Sequence, residues 1–311
     1  VTVGSMAATT RCKLFSICAS GMWEVVKQRP SVQPVTITYA RNFHTRLTSA
    51  FPPHVEYPTD VYVPNASVAD LSSPKVEIGL VTSAFANDNN RTMTWEHKEA
   101  LIAELREGKC CVQVDGEKRL IRTVLMAVLL LERSDGRCLV KVGQRDGGAI
   151  KPFCQLPGTK RRRGEAPALA IRRLVQQDLA DLGDRIRLGG VRSECQQTTS
   201  ANFGCETVYH KMVQSATFLE APLADDCGIF STRLLETDSQ LMPNTTERLG
   251  ALRYQDVLVM KDHKDLLVLY TWMTLNELDT MRKNEKQFTS ALKAWLERLK
   301  IPEHDAPVTW I

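Results

Sequence analysis

Positions 174, 177 and 178 fall on one face of any helix that holds them, because residues three and four apart are neighbours on a helix surface. Three carboxylates at that spacing would hold Mg²⁺ through hard oxygen ligands, and the metal would polarise a diphosphate and activate water. In this chain the face reads Leu174, Gln177 and Asp178. Leucine cannot ligate Mg²⁺, and a neutral glutamine neither balances the metal's charge nor serves as a general base. With one carboxylate of three, this face by itself offers no such ligand set.

Upstream lies a loop of mixed character. Leu156, Pro157 and Gly158 lead into Thr159, then Lys160-Arg161-Arg162-Arg163, and Gly164-Glu165 closes it. Glu165 and the later Arg173 can pair and pin the loop onto the helix, a scaffold role. Four adjacent cations, with Lys151 before them and Arg172-Arg173 after, suit phosphate contact without a metal, and RNA backbone would fit because Lys and Arg supply position and affinity without sequence readout. An exposed solvated loop accounts for the same run. Phe153 reads as core.

The elements that position these residues follow from hydrophobic patterning. Val124–Leu131 is an apolar strand, Asp135-Gly136 a hairpin signal and Cys138–Val142 a second strand. The run 168–182 reads as an amphipathic helix with Leu169, Ala170, Val175, Leu179 and Leu182 on its apolar side. Tyr270–Leu278 reads as a strand running into a helix, and a last helix carries Phe288, Leu292, Trp295 and Leu299 on one face.

Loop, arginine and helix together resemble the box of the Nudix superfamily, G-x5-E-x7-R-E-U-x-E-E-x-G-U. The resemblance spans roughly 118–300 and implies a Nudix-type α/β/α sandwich with a mixed sheet, preceded by an extended N-terminal arm. Gly158, Glu165 and Arg173 match scaffold positions of that box. Leu174, Gln177 and Asp178 stand where its metal-binding carboxylates belong, Thr159 replaces its opening glycine and Ala180 its late one. The resemblance therefore implies a degenerate box, with no catalytic residue, no metal ligand set and no cofactor.

Composition sets wider bounds. The chain has 311 residues with ordinary apolar and charged content, and its net charge of +4 does not by itself demand a nucleic-acid partner. No apolar run approaches the length that spans a bilayer. Nine cysteines and six histidines form no CxxC or zinc pattern, which fits a reducing compartment or buried thiols, and Cys110-Cys111 reads as packing in a short strand. Through Val55, Arg11, Lys13, Lys27, Arg29, Arg41 and Arg46 face a single acid, Glu24. This basic, hydroxyl-rich leader resembles an organellar transit segment, or a basic arm ordered against a polyanion.

The expected organisation is a basic arm over 1–57, then a linker and charged helix over 58–117. A degenerate Nudix domain over 118–301 and a tail over 302–311 complete it. Pro52, Pro53, Pro58, Pro64 and Pro74 mark the linker, and Thr94–Glu107 reads as a solvated helix with a narrow seam of Leu101 and Leu105. The polar stretch 220–264 reads as an insertion that supplies contacts.

Trp23-Glu-Val-Val-Lys-Gln-Arg-Pro-Ser-Val-Gln-Pro34, continuing to Phe43 and Leu47, resembles the segment that precedes the domain in the Nudix-fold proteins of the mitochondrial large ribosomal subunit, with Ser31 in place of a second proline. That resemblance implies a non-catalytic component in the mitochondrial matrix. Its partners would be large-subunit rRNA and neighbouring ribosomal proteins, with no membrane and no small-molecule substrate. Two other readings stand beside it. One is a hydrolase of nucleoside diphosphate derivatives that recruits Glu194 or Glu206 to work with Asp178 and Glu165. The other is a domain that senses a nucleotide such as ADP-ribose without cleaving it.

Overall fold

The computed structural model describes residues 18–29, 33–50, 74–85, 93–220 apart from 116, 118, 147 and 201, 230–232 and 255–299, with isolated positions 11, 13, 57, 58, 63, 71, 249, 250 and 252. In chain order the elements are α1 (Ala19–Lys27), α2 (Gln33–Ser49), α3 (Pro74–Phe85), α4 (Trp95–Arg106), β1 (Cys111–Val114), β2 (Leu120–Glu132), β3 (Cys138–Asp146), β4 (Ala149–Gln155), β5 (Gly158–Lys160), α5 (Pro167–Asp178), β6 (Ile186–Ser200), β7 (Cys205–Phe218), β8 (Phe230–Thr232), β9 (Val257–Lys261), β10 (Leu267–Met273), α6 (Leu275–Lys283) and α7 (Glu285–Leu296). A 3₁₀ segment, Ala180–Arg185, follows α5. The strands run in the order β6-β7-β2-β3-β10-β9-β8, with β1 and β5 also paired to β2 and β4 to β3. The architecture is α/β, a mixed sheet with flanking helices.

Two compact units divide the chain. The first gathers Val1–Ala127, Lys160–Ala170 and Val191–Met212; the second gathers Val128–Thr159, Ile171–Gly190 and Val213–Ile311. The boundary expected near 118 does not fall between them. The arm expected to be extended carries α1 and α2, and the expected linker carries α3, α4 and β1. Pro52, Pro53 and Pro64, the leader before Cys18 apart from Arg11 and Lys13, most of the 220–264 insertion and the 302–311 tail lie outside the described residues.

The first unit closes a core of Val81, Ala84, Leu101, Ile102, Leu105, Val112, Leu120, Val124, Phe203 and Cys205. Its helix α4 starts at Thr94, whose hydroxyl accepts from His97 N while His97 Nδ1 accepts from Thr94 N, so two orphan donors are met reciprocally. The expected narrow seam widens by one residue, because Ile102 is buried beside Leu101 and Leu105. Cys110 and Cys111 are buried as expected, and burial pushes the Cys110 thiol up to about 12, leaving it an inert packing group.

In the second unit β3 pairs antiparallel with β10, setting Lys141 opposite Tyr270 and Val140 opposite Thr271. The Asp135-Gly136 turn forms as expected: Gly136 takes φ +78, a conformation suited to glycine, and the Asp135 carboxylate accepts from Arg137 N at 3.1 Å. Thr274 caps α6 through a reciprocal bond with Glu277. Trp295 and Leu296 of α7 are fully buried in a cluster with Val140, Val142 and Leu269. A Cβ on Gly143 would meet the tip of the Leu296 side chain at 2.7 Å, so a larger residue here would make that leucine shift. Among the described residues, no helix is long and apolar enough to cross a membrane.

Candidate functional site

The basic loop belongs to the first unit, and its charges are directed inward. Arg161 is only 3 % exposed; its backbone N–H donates to Leu125 O at 2.8 Å, and its guanidinium donates to Glu165 O at 2.9 Å through Nη2 and at 3.2 Å through Nε. Lys160 Nζ donates to Glu104 Oε1 at 2.9 Å. Arg163 pairs with Glu77, a carboxylate with almost no solvent exposure, and also donates to Cys110 O at 3.2 Å. Arg162 is exposed. The loop is held in shape by Glu165, whose carboxylate accepts from Arg162 N at 2.8 Å, and by Gly164 at φ +74. Of the four cations expected to contact phosphate, Lys160, Arg161 and Arg163 have partners within the unit.

Two acids organise this arrangement, Glu77 of α3 and Glu104 of α4, the helix expected to be solvated. Glu104 Oε2 accepts from Arg122 through Nε at 3.0 Å and Nη2 at 2.5 Å, while Oε1 takes Lys160. The Arg122 side chain is 3 % exposed and also lies 4.4 Å from the Phe203 ring. Burial pushes the Glu104 carboxyl up, but the hydrogen bonds and charges of Arg122 and Lys160 outweigh it and hold it below the usual carboxylate range. Glu77 shares its face with buried Val81 and Ala84, a spacing the sequence carries, whereas nothing local marks the partners of Glu104.

The helix face of positions 174, 177 and 178 belongs to the second unit. α5 begins at Pro167, whose fixed φ suits a first helical turn, and it ends at Asp178. Leu174 is 2 % exposed and continues a buried stripe of Ala170 and Ile171. Leu169, expected on that stripe, is instead 52 % exposed, because a stripe through 170, 171 and 174 leaves 169 outside it. Gln177 is exposed. Asp178 Oδ1 lies 2.7 Å from His263 Nδ1, and a cation there would offset a carboxylate placed at a helix C-terminus. Arg173 Nη1 donates to Thr159 Oγ1 at 3.1 Å, so the threonine in place of the box's opening glycine has a partner on the helix. Gly158 opens β5 and is exposed.

Mg²⁺ does not fit these residues. A ligand at 174 would have to enter the core, Gln177 brings no charge, and Asp178 is engaged by His263. Among the described residues no group of three His, Cys, Asp or Glu side chains gathers as a metal cage. Glu194 pairs with Arg192 at 2.9 Å, and Glu206 accepts from Gln197 at 2.5 Å.

Beyond the helix face, Phe153 of β4 is half-buried rather than core. Lys141 Nζ lies 4.6 Å and Lys151 Nζ 5.4 Å from its ring centroid. Lys141 also donates to Gln144 Oε1 at 2.8 Å. Burial lowers the Lys141 ammonium from its usual range, against the pull of Asp262 and Asp178. Burial and those same two carboxylates raise the Tyr270 phenol.

No protein-family model matches the chain, and no curated protein matches it. A NUDIX hydrolase from Nitrosomonas europaea is a solved structure with some likeness: 13 % identity, 55 % of this chain and 89 % of that chain covered, TM-score 0.28. A likeness of that depth does not decide what this chain does.

Proposed function

We propose that this chain is a Nudix-type protein that works by docking rather than by hydrolysis, as a structural component of the mitochondrial large ribosomal subunit in the matrix, against rRNA and neighbouring ribosomal proteins. The observation that carries the non-hydrolytic part is Leu174. The position that would supply the first metal ligand is a buried member of the helix's apolar stripe. The polar remainder of that face is occupied as well, Gln177 being neutral and Asp178 engaged by His263. Support for the assembly comes from the basic N-terminal segments and their resemblance, from Trp23 onward, to the ribosomal family.

Gradient sedimentation of a mitochondrial lysate, probed for this protein and for large-subunit rRNA at low and high salt, tests the proposal. Co-migration with the large subunit through moderate salt is expected. Migration as a free small protein would overturn the ribosomal role, and metal-dependent turnover of ADP-ribose or capped RNA by the purified protein would overturn the non-hydrolytic one.

A second reading has one observation in its favour. Phe153 offers a half-exposed ring with two ammonium groups over it, the combination that could stack a base and neutralise a diphosphate. Ligand-induced thermal stabilisation by ADP-ribose, lost in Phe153→Ala, would move the assignment to a nucleotide-sensing domain.

A further inference from the structure

The two ends of the strand order are built differently. β8 is a three-residue strand, Phe230–Thr232, the short edge that natural sheets use to limit unwanted pairing. β6 is fifteen residues long, about three times a usual strand, and among the described residues it pairs with β7 and with no further strand. Residues 192–199 are exposed on both faces. The strand holds no proline and no lysine, the usual edge protections. Its long row of outward N–H and C=O groups is a template for another strand.

The side chains say which strand fits. In the first unit's stretch of β6, Val191–Ser200, the only charged residues are Arg192 and Glu194, two positions apart on one face and paired with each other at 2.9 Å. An identical strand laid antiparallel about a two-fold axis through Ser193 brings Arg192 opposite Glu194 of the second copy, and Glu194 opposite its Arg192. Opposite charges directly across a pair of strands stabilise it, and like charges destabilise it. The same register sets Ser193 against Ser193, Cys195 against Val191, and the neutral Gln196–Thr199 run against the start of the second copy's β6.

We infer that the free protein self-associates through β6, two copies pairing edge to edge in antiparallel register about Ser193. The contact is isologous, as a two-fold interface requires. A single strand pair buries less than a standard protein interface, so the dimer forms at high protein concentration and dissociates on dilution. This inference does not rest on the ribosomal assignment.

Sedimentation velocity of the full chain over a concentration series gives the answer. The 34.9 kDa monomer is expected to shift towards twice that mass as concentration rises. Arg192→Glu sets four carboxylates together in the dimer and should weaken association at least tenfold. The swap Arg192→Glu with Glu194→Arg restores both cross-strand pairs and should return it. Both residues are exposed, and circular dichroism of each variant checks that the fold is kept. A second readout fixes the register. Ser193→Cys should form an intermolecular disulfide under mild oxidation, because directly opposed residues lie about 4.5–5.5 Å apart. Native Cys195 should not, since two such residues would stand about 13 Å apart along the strand. A monomer at every concentration, a dimer indifferent to Arg192→Glu, a swap that stays monomeric, or a Ser193→Cys variant that cross-links through Cys195 instead of the introduced thiol would each overturn the inference.

Discussion

The loop at 160–163 and the helix face at 174–178 diverge from a simple reading of their charges in opposite ways. The loop gathers four cations, and the structure answers with acids: half-buried Glu104 takes Arg122 and Lys160, and buried Glu77 takes Arg163. The helix face has too few acids for a metal, and the structure answers with a core leucine and a histidine against the last carboxylate. A charge run alone tells nothing of its direction. Burial of the partner decides whether a cation is a contact group or a structural one.

The largest effect should come from removing the loop's acid. Glu104→Ala leaves Arg122 buried without its counter-charge and should cost about 3–5 kcal/mol, read as loss of the first unit's denaturant-unfolding transition. An unaltered transition would mean that Glu104 is no more than a surface charge, and the contrast between the two regions would vanish. Next in size is Leu174→Glu, which introduces a carboxylate that Mg²⁺ chemistry would want. It should destabilise the second unit by about 2–3 kcal/mol, since it forces an acid into the apolar stripe, and it should gain no metal-dependent turnover. Turnover gained at little cost in stability would show that position 174 still faces an open site.

Acid should separate the regions more gently. Glu104 titrates below its ordinary value in the folded protein, so its stabilising contribution is complete above the ordinary glutamate value. It is lost as the pH falls through the lowered folded value. Thermal melts between pH 7 and pH 3 should therefore show an acid limb that Glu104→Gln flattens. A variant with the wild-type limb would place the acid sensitivity elsewhere.

Much of the fold is legible because its patterns are local. β2, β3 and β10 follow from short apolar runs and α7 from a run of period 3.6, and Asp135-Gly136 marks its hairpin. The 186–218 hairpin is not legible, because 192–199 is exposed on both faces and shows no alternation to read. The helices of the arm escape a reading in which proline and basic residues suggest an extended path. At the candidate site, α5 is legible but its rotation is off by one residue, which misassigns Leu169. Glu104 escapes for another reason: its partners stand 18 and 56 residues away in sequence, and nothing local shows that a helix acid is aimed at them.

The smallest effect on stability should be the most informative about function. Arg162 is the exposed member of the loop, and its backbone N–H is tied down by the Glu165 carboxylate. Arg162→Ala should leave the unfolding midpoint unchanged, as surface substitutions away from special features do. If the loop meets RNA, the same change should weaken association with large-subunit rRNA and lower its log–log salt slope by about one, the share of one phosphate contact. Arg163→Ala gives the opposite pattern, because it removes a charged partner of buried Glu77: stability falls, and any change in binding follows the loss of fold. Equal binding losses from both variants, with stability intact in both, would mean that Arg163 leaves Glu77 when RNA arrives. The distinction between structural and contact cations within this loop would then be one of state rather than of position.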